Sequence, residues 1–186
     1  NECKKIFVPK IGRFSSGNYE KGFTLPEMQL TWNTGSRICT KTYEEKHFNS
    51  KEWFWFLGFY LAEGRTEKNG RNYNVYFYQK ENSPYCKILD DCIEALGYHA
   101  TKLHGERGMI RWTISDKQLY ECFHTFGDTY TKYIPENVFS FDVSLQEALF
   151  DGMFAGDGTK KSGIYSTVSK QLADDVQRLL RNVGIS

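Results

Sequence analysis

The sequence has no surplus of charge. Its 24 Lys and Arg are set against 23 Asp and Glu, a net charge of +1 over 186 residues. A polyanionic partner would therefore be met by segregating charge onto one face, not by an excess of it. No apolar run approaches the roughly 18 residues that a membrane-spanning helix needs, which argues against a membrane protein. The opening NECKKIFVPK has basic residues but no apolar stretch or small-residue cleavage site, so it does not read as a signal peptide. It also has no initiator Met, which reads as a processed product or an excised piece of something longer. There is no CxxC pair. The five cysteines (Cys3, Cys39, Cys86, Cys92, Cys122) are odd in number and read as reduced thiols of an intracellular protein. The four histidines, His47, His99, His104 and His124, show no zinc-ligand spacing. What remains, 40% hydrophobic and 25% charged, is the composition of a folded chain, either one domain or two small repeats around a shared interface.

Two stretches stand out against this background. FLGFYLAEG at 56–64 and FDGMFAGDG at 150–158 are apolar runs that each end in an acid followed by glycine. Each reads as a short buried helix whose last turn holds one carboxylate, Glu63 or Asp157. A helix C-terminus disfavours a carboxylate by roughly 0.3–1 kcal/mol, because the macrodipole is negative there. One such helix alone reads better as a core helix with a surface acid before a glycine cap. Two in matching frames call for a different explanation.

The intervening sequence shows why they match. NSKEWFWFLGFYLAEG opens on a cap signal at Asn49 or Ser50 and stops at Gly64. Arg65 to Glu67 is expected to pair with the strand NYNVYFYQ (72–79) across the NGR turn. SPYCKILDDCIEALG (83–97) has the period of an amphipathic helix. HATKLHGERGMIRWTIS predicts a hairpin turning at Gly105–Gly108, with Ile110, Trp112 and Ile114 on one face and Arg111, Thr113 and Ser115 on the other. A helix over 116–127 follows, capped by Ser115. After the second acidic helix, over 144–157, come a strand GIYSTVS and a helix KQLADDVQRLLRNVG. Moving 83–97 forward by 87 positions lays each apolar position on an apolar one, and Gly97 on Gly184. The pattern is an internal duplication of an αββαββα unit whose second copy reads as truncated. Residues 1–49 show no clean period and stay unassigned, as an N-terminal extension or linker. Residues 50–140 form the first repeat and 141–186 an incomplete second.

Small residues spaced i, i+4 recur in both runs: Gly58 and Ala62, then Gly152 and Gly156. Such a stripe lets two helices approach at backbone distance, which would bring Glu63 and Asp157 together. Two carboxylates about 4 Å apart repel by roughly 4 kcal/mol at an effective dielectric near 20, so the pair needs a shared proton or divalent cations. Oxygen ligands without His or Cys favour Mg²⁺, with Mn²⁺ as an alternative.

With its two nonapeptides and repeat order, the chain resembles the LAGLIDADG family of homing endonucleases (DOD type), in the two-motif, single-chain form found inside inteins. The resemblance covers roughly 50–186. It implies an α+β fold of two tandem repeats forming a pseudo-dimer within one chain. The sheets form a saddle on double-stranded DNA with a long, pseudo-symmetric target, and the activity is metal-dependent cleavage of phosphodiester bonds. Carried over residue by residue, Glu63 and Asp157 hold the metal, helped by the carbonyls of Ala62 and Gly156. TKYIP (131–135) places Lys132 at the catalytic lysine position, with a solvated loop lysine as the lesser alternative. Gln79 matches the glutamine near the metal. Strict alternation would turn it to the core face with Val75 and Phe77, so it reaches the site only if the strand bends there. DNA contacts are expected from Asn74, Tyr76 and Tyr78, from Lys102 and His104, from Arg111 and Thr113, and from Lys160 and Lys161 after the second motif.

The first motif ends in Glu where the family has Asp, and Ala155 replaces an acid that is not a metal ligand. The missing second hairpin implies a missing second lysine, which would compromise cleavage. No splicing residues are present, and the host protein is not named by anything in the chain. The alternative function is a cleavage-deficient nucleic-acid-binding module on the same fold, maturase-like or regulatory.

Overall fold

Helix α1 (Lys51–Glu63) is apolar on every side, and a helix of that kind must be covered all round. Ser50 caps its first turn, its hydroxyl accepting from Trp53 N at 3.4 Å. Residues Phe56 to Leu61 are all buried. The computed structural model describes residues 22–159 and 163–184, and within these the other elements wrap around α1. Among the described residues no helix is long and apolar enough to cross a membrane, and the four cysteines are free thiols.

One cover is a four-stranded antiparallel sheet. The strands are β5 (Gly64–Asn69), β6 (Asn72–Lys80), β7 (Thr101–His104) and β8 (Met109–Ser115), in the order β5-β6-β8-β7. Val75, Phe77, Ile110, Trp112 and Ile114 form its core face. Helices α2 (Tyr85–Ala95) and α3 (Lys117–His124) pack on that side, α2 against α1 and α3 against β5 and β6. The cap of α3 is Asp116, whose carboxylate accepts from Leu119 N at 2.8 Å, and not Ser115. Ser115 instead donates to Asn74 Oδ1 at 2.7 Å.

The second cover is helix α4 (Val143–Asp157), capped by Asp142. Helix α5 (Lys170–Val183) packs on α4 as α2 packs on α1. Between them lies a short hairpin, β9 (Gly158–Thr159) with β10 (Ile164–Tyr165). The strand expected over GIYSTVS is thus paired only at its start.

Residues before Asn49 are not featureless. β1 (Phe23–Leu25) pairs with β4 (Lys46–Phe48), and β2 (Met28–Asn33) pairs with β3 (Ile38–Tyr43). Phe48 stacks on Trp53 with ring centroids 4.1 Å apart, which docks β1–β4 on the start of α1. Met28, Leu30 and Trp32 alternate with Gln29, Thr31 and Asn33. That period of two runs for only six residues between loop signals, too short to register against them.

Candidate active site

Helices α1 and α4 touch through backbone. A Cβ placed on Gly58 would collide with the carbonyl oxygen of Leu149, and one on Gly152 with that of Trp55. Both pairs are related by the 94-residue offset that maps Glu63 onto Asp157, so the two contacts are reciprocal. Further along, a Cβ on Gly156 would meet Ala62 Cβ at 2.5 Å and Glu63 Cγ at 2.8 Å. The interface therefore closes down on the acidic ends of both helices.

Each helix passes directly into a strand. Gly64 and Gly158 are extended, with negative φ, and each donates its N–H four residues back, to Tyr60 O and Phe154 O. Both glycines end their helices as strand residues, not as left-handed caps. Glycine is needed because a Cβ there would run into the ring of Tyr60 or of Phe154. The acid before each glycine is thereby fixed at the mouth of a cleft of about 410 Å³. The cleft is lined by Glu63, Asp157, Lys132, Arg65, Tyr78 and Thr129, with Leu61, Ala62, Gly64 and residues 166–168 completing its wall.

Lys132 is 5% exposed. Its ammonium donates to Tyr60 O at 2.9 Å and Gly64 O at 2.7 Å, so it sits on the negative end of the α1 dipole. The segment that carries it is tied to α5. Ser169 Oγ donates to Lys132 O at 2.7 Å, and Ile134 N donates to Asp175 Oδ2 at 2.9 Å. A buried cation thus comes from one connection and the two acids from two different helices.

The electrostatics follow from burial. Desolvation, then the charge of Asp157, pushes Glu63 up to about 7 against the opposing pull of Lys132. Desolvation likewise lifts Asp157 to about 6, again opposed by Lys132. Burial lowers Lys132 to about 8, although both acids favour its charged form. Tyr165, whose hydroxyl is buried without a partner, is raised by burial and then by Asp157 and Glu63. Among the described residues no cluster of three or more His, Cys, Asp or Glu is assembled. The donor set is thus two carboxylates with neighbouring helix-terminal carbonyls, which suits a hard cation that keeps waters or substrate oxygens in its shell.

The structure sorts the remaining predicted residues. Ala62 lines the cleft, whereas Gly156 packs against Ala62 and Glu63 and is not in the lining. Gln79 stays out of the cleft, opposite Ile110 on the core-facing side of β6, and its amide oxygen accepts from Lys80 N at 2.8 Å. Asn74 and Tyr76 point away from the core, but they are buried and joined to each other by a 3.1 Å hydrogen bond. Tyr76 is covered by the guanidinium groups of Arg65 and Arg111, each 5.2 Å from its ring centroid. Arg111 lies opposite Tyr78, and Thr113 opposite Tyr76, on this open face.

Lys102 and His104 are corrections. Their cross-strand partners are Trp112 and Ile110, so both fall on the core side of the edge strand. Lys102 bridges Asp90 at 2.5 Å and His104 lies 3.5 Å from Glu81. The open-face positions of β7 are Thr101 and Leu103 instead. Lys160 and Lys161 lie outside the described residues, as does Cys3. Arg65 is the functional candidate that sequence reasoning passed over. As the second residue of β5, directly after the helix that ends in Glu63, it shares the cleft with the acid.

The chain is similar to several known proteins. A family model described as LAGLIDADG-like domain matches residues 144–186. Two curated relatives, each a DNA polymerase, are 35% identical in Thermococcus sp. (strain GE8) and 32% identical in Thermococcus hydrothermalis. Both matches run over 142 residues, 70% of this chain, and the chain spans only 8% of either polymerase. Among solved structures, the homing endonuclease I-DmoI in complex with DNA and Ca superposes with a TM-score of 0.54 at 20% identity, covering 72% of each chain. I-DmoI in complex with DNA and Mn gives the same TM-score at 20% identity, over 72% of this chain and 78% of that one. Residues 144–186 are thus similar to a LAGLIDADG-like domain, and the chain has the fold of the homing endonuclease I-DmoI.

Proposed function

We propose that the chain is a metal-dependent, site-specific endonuclease for double-stranded DNA, working as a pseudo-dimer inside the cell and residing as an intein within a longer protein. The observation that carries the reading is the convergence of Glu63, Asp157 and buried Lys132 on one cleft between the two α-helical motifs. The relatives' much greater length supports a segment within a larger polypeptide. Two raised carboxylates are a poor structural device but a good ligand pair. Glu63 and Asp157 would hold Mg²⁺ or Mn²⁺ with the Ala62 and Gly156 carbonyls. A bound ion supplies Lewis-acid polarisation of the phosphate and a lowered pKa for water.

The chain's own residues do the rest. Lys132, held on two carbonyls and lowered to about 8, can stabilise charge developing on the phosphate or take a proton from the attacking water. Arg65 and Arg111, stacked over Tyr76, offer cations on the open sheet face for DNA. Lys132→Met is expected to cost about 10²–10³-fold in cleavage rate. Stability should fall only modestly: the substitution removes an expensive buried charge, Tyr60 O keeps the Gly64 N–H, and the acids left without Lys132 can take up protons. Unfolding melts beside single-turnover cleavage would separate these effects. A large loss of stability would make Lys132 a structural residue.

A second expectation concerns pH. The folded chain keeps protons on Glu63 and Asp157 between about 4 and 7 that the unfolded chain has released, so cation-free stability falls as pH rises through that window. Mg²⁺ replaces those protons. The rise in melting temperature on adding Mg²⁺ should therefore be larger above the window than within it. A rise equal at both ends would place the ion elsewhere.

The direct test is Mg²⁺-dependent cutting of a randomised duplex library by the unaltered chain. Selective retention of sequences without cutting would move the assignment to the binding module.

A further inference from the structure

The β2–β3 ribbon is the part of the molecule that this function leaves unused. It is a two-stranded antiparallel hairpin paired from Met28↔Tyr43 to Asn33↔Ile38. The 16 residues from 28 to 43 contain no Asp or Glu but do contain Arg37 and Lys41, both exposed. The ribbon is therefore locally basic, by two charges. One face carries Gln29, Thr31, Asn33, Thr40, Thr42 and Ile38, all exposed, with Ile38 75% so.

The ribbon is fixed at both ends. At its root the buried Gln118 amide donates to Pro26 O at 2.9 Å and Glu44 O at 2.8 Å, clamping both strands to α3. Near its tip, Arg71 in the β5–β6 turn donates to Asn33 O at 3.4 Å. The ribbon is thus continuous with the end of the sheet whose open face holds Arg65 and Arg111.

We infer that the β2–β3 ribbon is an additional DNA-reading element that extends the sheet's footprint beyond the first repeat. The inference rests on the nuclease fold binding duplex DNA as proposed above. A two-stranded ribbon fits the major groove, and neutral amides and hydroxyls can pair with base edges there. Ile38 offers an apolar contact of the kind a thymine methyl accepts. Arg37, in the turn beside that face, supplies a phosphate contact, whereas Lys41 lies on the opposite face over the Tyr43 ring. Six residues per strand span about 20 Å, or about six base pairs of additional contact.

The test uses the full chain and a mixed-sequence duplex, with affinity measured by anisotropy across a salt series. Arg37→Gln should weaken binding and reduce the log–log salt slope by about one. The side chain is exposed, so the fold should tolerate the change. Arg111→Ala, on the sheet, serves as the comparison. A benzophenone side chain at position 31 should crosslink to DNA, as one at 113 should. An unchanged slope, or crosslinking from 113 but not from 31, overturns the ribbon's role and leaves the sheet's intact. No binding by the unaltered chain, and none by any variant, overturns both.

Discussion

Replacing Glu63 with Gln and Asp157 with Asn together should abolish Mg²⁺-dependent cleavage, by at least about 10³-fold, and should leave a more stable protein. The two outcomes share one cause. Both carboxyls are pushed up, to about 7 and about 6, because the fold removes them from water at the ends of two helices. Glu63 also stands in the field of Asp157. An ionised pair there is held against desolvation, mutual repulsion and two helix dipoles, with Lys132 as the main compensation. Amides of the same shape remove the charge and its cost. Discounted for the partial solvent exposure of both groups, the gain should be on the order of 1–2 kcal/mol near neutral pH. That corresponds to a melting temperature several degrees higher. DNA binding should survive, since the acids oppose a polyanion and do not attract it. Cleavage, melting and binding measured on one preparation decide the matter. Retained cutting would remove the acids from the chemistry, and a lower melting temperature would mean that they are structural.

Gly58→Ala and Gly152→Ala should each be severely destabilising, by about 3 kcal/mol or more, and by similar amounts. One methyl group is a small change, and at most helix positions it would stabilise by reducing the freedom of the unfolded chain. At these two sites the added carbon would collide with a backbone carbonyl of the facing helix, Leu149 O or Trp55 O. A backbone atom has no rotamer to move into, so the helices must separate and carry both acids with them. The similarity of the two costs tests the reciprocity of the contact. Gly156→Ala offers a graded contrast, because its new carbon would meet Ala62 Cβ at 2.5 Å and Glu63 Cγ at 2.8 Å, shallower overlaps than those with the carbonyl oxygens, and Glu63 can swing away. It should cost less stability and proportionately more activity, through displacement of Glu63. Denaturant unfolding of the three variants checks the order. Equal costs at all three would mean that the interface relaxes as a whole.

The sequence by itself determined the features that depend on local period. These include the two acidic helices, the i, i+4 small residues that let them touch, the order of strands and helices in the first repeat, and the resemblance of α5 to α2. Each is written within about fifteen residues as an alternation or a 3.6-residue stripe, so spacing alone reveals it. Only the tertiary structure decided what depends on the phase of one element against another. The turn at 105–108, with Arg107 and Gly108 both at positive φ, sets Leu103 rather than Lys102 opposite Arg111. A one-residue shift of that kind reverses every side chain of β7, and the strand's own residues, all exposed, contain no core pattern to fix it. TKYIP marks Lys132 in the sequence, but its burial and its hydrogen bonds to Tyr60 O and Gly64 O arise only when α5 holds its segment against the end of α1. Arg65 enters the site for the same reason, and Lys102 and His104 leave the open face. Periodicity is a property of the chain, whereas the dielectric and the neighbours that make a carboxylate or an amine reactive come from distant segments that only folding brings together.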